Sequence, residues 1–138
     1  MSDNQQPSGA FIAASWVALL AGFIAYLAML VNSTLDMNER GFYFILLMYG
    51  LFAAVSVQKS VRDRAEGVPV TAIYSGLAWV SVLVVLVALG WGLFNAQMPN
   101  AEKGFYAMSY LLSLFAAIAV QKNTRDKAAP VQSVVSRY

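Results

Sequence analysis

Residues 39–63 read ERGFYFILLMYGLFAAVSVQKSVRD, and residues 102–126 read EKGFYAMSYLLSLFAAIAVQKNTRD. The second stretch is the first again, 63 positions later. Working outward without a gap, residues 16–64 align with residues 79–127, and 19 of the 49 positions are identical. Trp16 returns as Trp79, and Asn32 returns as Asn95. An internal repeat decides architecture before any single residue does. Each copy is too long for one helix and contains two apolar runs. The chain therefore reads as a duplicated membrane hairpin.

The distribution of charge supports this reading. Hydrophobic residues make up 59% of the 138 residues and charged ones 12%, against about 25% charged in an average soluble domain. No ionisable side chain other than tyrosine occurs in residues 4–35, 41–58, 67–101 or 104–121. A helix crosses the hydrocarbon core with about 20 apolar residues, so each run is long enough to span. The fold class expected is an all-α membrane protein with four transmembrane helices, arranged as two tandem parallel-repeat hairpins. A polar N-terminal tail takes residues 1–10 and the first hairpin repeat residues 11–64. A linker follows over 65–72, the second hairpin repeat over 73–127, and a C-terminal tail over 128–138.

Within this frame helix 1 is expected over 11–31, with a small-residue stripe at Ala10, Ala14, Ala18 and Gly22 for close helix approach. Asn38 reads as the N-cap of a second helix over 41–57, with Glu39 in its positive first turn. Gly50 and Ala54, repeated as Ser113 and Ala117, give the second and fourth helices a small-residue face. Lys59–Asp63 and Arg62–Glu66 lie four apart, which extends that helix beyond the membrane with ion pairs. Gly67 and Pro69 stop it. Helices over 73–94 and 104–120 complete the set, with Pro99 breaking the chain between them.

Lysine and arginine counts set the orientation. The side holding both termini and the 58–70 linker carries seven basic residues, and the other side carries Arg40 and Lys103 alone. Both termini are expected in the cytoplasm, with the pseudo-two-fold axis along the membrane normal. The N-terminus lacks the positive region and short apolar core of a signal peptide, so the first span is expected to remain in the mature protein. The basic residues cluster beside spans and form no exposed stripe, which argues against nucleic acid as a partner. Cysteine and histidine are absent, so thiol chemistry, haem histidine ligation, iron–sulfur ligation and almost every zinc site are excluded. No cofactor, metal site or catalytic set is expected.

Three duplicated groups are the candidate functional residues. Gln58, Lys59, Arg62 and Asp63 recur as Gln121, Lys122, Arg125 and Asp126 at the cytoplasmic exits of helices 2 and 4. Their cations complement the negative helix ends and face anionic lipid, as an anchor or as a paired docking or headgroup site. Glu39, Gly41 and Tyr43 recur as Glu102, Gly104 and Tyr106 on the outer side. There the glycines allow close chain approach, the tyrosines suit the interfacial belt, and the glutamates could ring a pore mouth. Asn32 and Asn95 end helices 1 and 3, as bonds across helices or as carbonyl caps. No Asp, Glu, Lys or Arg lies inside a span, where coupled transporters usually keep one.

The doubled Glu-(Arg/Lys)-Gly-Phe-Tyr turn, the Leu-Phe-Ala-Ala run and the Gln-Lys-x-x-Arg-Asp exit resemble the YiaA/YiaB family of bacterial inner membrane proteins, in its longer type with two copies of the two-helix domain. The resemblance covers roughly residues 11–127. Arg40 stands where lysine is usual, and Ala101 stands where a capping Asn or Ser would precede Glu102, so Asn100 or Pro99 is expected to shape that helix start. The resemblance implies a polytopic inner membrane protein without an established activity. Two functions compete: a structural, accessory or interaction protein in a homo-oligomer or larger membrane complex, and a small oligomeric channel or transporter. An enzyme acting on lipid is a distant third.

Overall fold

A computed structural model describes the backbone of residues 6–137 and the side chains of residues 6–128. Four helices follow in order: α1 Gly9–Val31, α2 Met37–Ala65, α3 Ala72–Asn95 and α4 Asn100–Arg137. All four are long and apolar enough to cross a membrane.

Each helix start has a local cause. Ser8 accepts from the Phe11 amide at 3.1 Å, and Thr71 accepts from the Tyr74 amide at 3.1 Å. For α2 the cap is Asp36, which accepts from the Glu39 amide at 2.8 Å. This corrects the expectation for Asn38, which lies inside the first turn. A carboxylate beside the positive helix end is worth more there than an amide. In α4 the Pro99 carbonyl accepts from the amides of Glu102 and Lys103, so the chain turns on Pro99 rather than on a capping side chain. The α2 terminus closes as a Schellman motif: Gly67 has φ of +78°, the Val68 amide donates to the Asp63 carbonyl at 2.8 Å, and the Gly67 amide donates to Arg64. Arg40 fastens the 32–36 loop by donating to the carbonyls of Leu35 (2.9 Å) and Ser33 (2.7 Å). That two-carbonyl grip uses a planar fork of donors, which lysine does not have.

The helices stand in a row, α1–α4–α2–α3. The central pair, α2 and α4, runs parallel. The outer helices pack on the central helix of the other repeat, α1 on α4 and α3 on α2, while the two helices within each repeat touch only slightly. The pseudo-two-fold axis passes between α2 and α4. The hairpin is therefore a topological unit, and the packing unit is one outer and one central helix from different repeats.

In a bilayer, lipid tails remove most of the hydrophobic drive between helices, so association rests on close packing. Gly22 supplies it between α1 and α4. A methyl group built there would lie 3.1 Å from the Ser109 carbonyl and from the Ser113 amide. The rest of the expected stripe packs less closely: Ala18 is half-buried, and Ala10 and Ala14 are exposed. The buried line of α1 is Ser15, Gly22, Tyr26 and Leu30. Four-residue steps advance about 400° around a helix of 3.6 residues per turn, so a long i+4 row drifts off its contact face. The small faces of the central pair do pack: Gly50, Ala54, Ser113 and Ala117 are all buried. Ile24, Leu83 and Phe115 are among the large apolar side chains on the outer surface, where lipid meets them.

Candidate functional site

At the end of the row near both termini, α2 and α4 carry the duplicated exit residues into contact. Lys59 pairs with Asp63 at 2.8 Å, and Lys122 pairs with Asp126 at 2.7 Å, each along its own helix. The longer links cross the axis. Arg125 reaches Asp63 at 2.5 Å, and Arg62 pairs with Asp126. Each aspartate thus takes a lysine from its own repeat and an arginine from the other. Glu66 breaks the symmetry by receiving both arginines, Arg62 at 2.6 Å and Arg125 at 2.8 Å. Its repeat equivalent is Ala129.

Burial separates the roles within this cluster. Asp63 and Asp126 are 4% and 8% exposed, and Arg62 and Arg125 are largely covered. Lys59 and Lys122 remain about half exposed, and Gln58 and Gln121 are half-buried. Lys59 also lies 6.0 Å from the Tyr74 ring centre. Four cations face three carboxylates, so the arginines are already engaged with carboxylates. The pairs along each helix were legible from four-residue spacing. The links across the axis needed one further step: in parallel paired helices, adjacent Arg-Asp duplicated at equal depth is reciprocal by symmetry.

Lys59 and Arg125 hold the Asp63 carboxyl below the usual carboxylate range. Arg62 and Arg125 do the same for Glu66, against its desolvation. For Asp126 burial pushes upward, and Lys122 with Arg62 outweighs it, so the net direction is down. Carboxyls depressed in the folded state contribute stability that is present above their unfolded range and lost as pH falls through their folded values. Unfolding midpoints in micelles should therefore be flat from pH 9 to 6 with respect to these groups and fall under acid, below about pH 4. Asp126→Asn should cost about 2 kcal/mol at pH 7, between the values for exposed and buried pairs, and should blunt the acid response. A wild-type midpoint unchanged under acid would contradict the clamp.

The residues at the opposite end of the row are arranged differently from expectation. Tyr43 and Tyr106 do not sit in an interfacial belt. They are buried, and they stack on each other across the axis with ring centres 5.7 Å apart and planes 18° from parallel. Tyr26 meets Tyr106 edge-on at 5.5 Å, and its hydroxyl donates to the Tyr43 carbonyl at 2.8 Å. Phe42 and Phe105 take the exposed positions instead. A methyl group at Gly41 or Gly104 would meet nothing within 4 Å, so neither glycine provides a close approach within this chain. Glu39 is exposed and Glu102 half-buried. Asn32 donates to the Ala28 carbonyl and Asn95 to the Trp91 carbonyl, each at 2.8 Å. Both act as carbonyl caps on their own helices rather than as bonds between helices. An amide at a helix end meets its own free carbonyls first.

A model of the yiaA/B two helix domain matches the chain twice, at residues 11–63 and 74–126. The curated Inner membrane protein YiaA of Escherichia coli (strain K12) is 49% identical over 120 residues, covering 86% of this chain and 82% of that protein. No solved structure matches. Two copies of the domain on two halves of one parallel row, with this level of identity across nearly the whole chain, place the protein: it belongs to the YiaA/YiaB family of multi-pass inner membrane proteins.

Proposed function

We propose that the protein is a structural or accessory component of the inner membrane, with both termini in the cytoplasm, acting by lateral packing against other membrane helices. The observation that carries this reading is the filled axis, closed at one end by paired charges. From the outer side inward it holds the stacked Tyr43 and Tyr106, then Leu47 level with Tyr110, whose hydroxyl donates to the Leu46 carbonyl at 2.8 Å, then Leu114, and finally the closed cluster of aspartates and arginines. Such an axis suits a rigid element better than a conduit. The outward faces carry large apolar side chains on both sides of the row, which offers width for contact with a membrane partner. The seven-to-two excess of basic residues supports the orientation.

The test is gentle extraction of the tagged full chain at native expression, followed by the mass of the intact complex. Recovery in fixed ratio with a larger membrane assembly is the expected result. Recovery without any partner, together with ion flux in proteoliposomes that disappears in Glu39→Gln/Glu102→Gln, would replace this reading with that of a channel built between copies.

A further inference from the structure

Beside the aspartate–arginine cluster, α1 and α4 leave a groove of about 310 Å³ on one edge of the row. Ile12, Trp16 and Val120 form its apolar part, and Asn123, Thr124 and Lys127 its polar part. Asn123 is 3% exposed. Its Nδ2 donates to Ser15 Oγ at 3.1 Å, and Ser15 Oγ in turn donates to the Phe11 carbonyl at 2.8 Å. With the amide so placed, Asn123 Oδ1 is buried without a hydrogen-bond partner. A buried acceptor in the wall of a groove is unusual and calls for a donor to fill it. Lys127 makes no ion pair among the described residues.

We infer that this groove binds one phospholipid whose headgroup is anionic and carries a hydroxyl, the chemistry of phosphatidylglycerol. The lining changes from apolar to polar along α4, at the depth where the apolar run 104–121 gives way to charge. Acyl chain and glycerol meet Val120 and Trp16, a residue type suited to the interface, and Ile12 flanks the headgroup opposite Lys127. The phosphate meets Lys127 and the Thr124 hydroxyl. A headgroup hydroxyl that displaces the side chains covering Asn123 Oδ1 donates to it. Lys127 disfavours a headgroup ending in ammonium, which separates this lipid from phosphatidylethanolamine. The unpaired acceptor is also specific to one edge. The repeat equivalents of Ser15, Asn123 and Thr124 are Ala78, Ser60 and Val61. The Ser60 hydroxyl already donates to the Val57 carbonyl, so no orphan acceptor exists there. One lipid per chain follows, where symmetric anchoring would give two.

Native mass spectrometry of the delipidated full chain, with phosphatidylglycerol, phosphatidylmethanol or phosphatidylethanolamine added, reads the proposal. Phosphatidylmethanol is anionic and lacks the headgroup hydroxyl. A single phosphatidylglycerol should be retained in preference to both others. Lys127→Gln, at an exposed position, should weaken it about fivefold, the effect of one basic residue near a charged surface. Asn123→Ser installs the residue that α2 carries at position 60, and should erase the preference over phosphatidylmethanol, about fivefold for one hydrogen bond. Equal retention of the three lipids, or preferences untouched by both substitutions, would overturn the site. Displacement of the lipid by glycerol 3-phosphate would show that a soluble phosphate, not a membrane lipid, is the ligand.

Discussion

Expressed alone, residues 1–68 should form two helices that do not pack on each other, and residues 69–138 supplied as a second chain should restore the native row. The reason is the exchange of partners between repeats. α1 finds its contact on α4, and α3 finds its contact on α2, so a single hairpin holds two helices whose partners lie in the other half. A half can still try to pair with its own copy, since parallel repeats make that geometrically possible. Two features penalise it. Tyr110 fills the space over Gly50, while the equivalent of Tyr110 in the first half is Leu47, so a self-pair leaves a void. Gly22 fits against Ser113, and in a self-pair it would face glycine. Voids of this size cost about 2 kcal/mol or more, which is at least about a thirtyfold preference for the mixed pair. Co-purification of differently tagged halves, with hydrogen exchange on α1 and α2, measures it. Native-like protection in residues 1–68 alone would contradict the exchange.

The repeat made much of this fold legible. Four spans, parallel duplication and the exit pairs Lys59–Asp63 and Arg62–Glu66 all follow from spacing and charge. What spacing could not show is which helices pair, because a hairpin packed on itself and a hairpin packed on its neighbour share one hydropathy pattern. The tyrosines illustrate the same limit. Tyr43 and Tyr106 stand near a membrane boundary in sequence, where amphipathic rings are common, yet the axis needs large side chains at that depth and takes them. The Asn32 and Asn95 caps were within reach, since each amide lies four residues past a carbonyl at a helix end. The Asn123 groove was not, because its two walls come from opposite ends of the chain, its amide is held by Ser15, 108 positions away, and it breaks the repeat instead of following it.

That broken symmetry yields the sharpest test of the central pair. Gly50→Ala should destabilise the protein by about 2–3 kcal/mol, whereas the same change at Gly41 or Gly90 should be neutral or stabilising by up to about 1 kcal/mol. Outside close contacts, alanine is the better helix former because it loses less backbone entropy. Gly41 and Gly90 have open space at the methyl position. At Gly50 the methyl would overlap the Tyr110 hydroxyl and lie 2.8 Å from its Cζ. Tyr110 is fully buried and its hydroxyl donates to the Leu46 carbonyl at 2.8 Å, so the ring cannot yield without losing that bond. In membranes such a bond is worth only about 0.6 kcal/mol on average. Most of the expected loss is therefore steric, from parting α2 and α4 where Gly50 meets the Tyr110 ring. Tyr110→Leu, which installs the residue α2 carries at position 47, should recover part of the stability of Gly50→Ala while destabilising the wild type. That crossed sign is the signature of a direct contact, because independent sites would simply add. Unfolding midpoints of the four proteins in one detergent settle it, and additive effects would mean that Gly50 and Tyr110 do not meet.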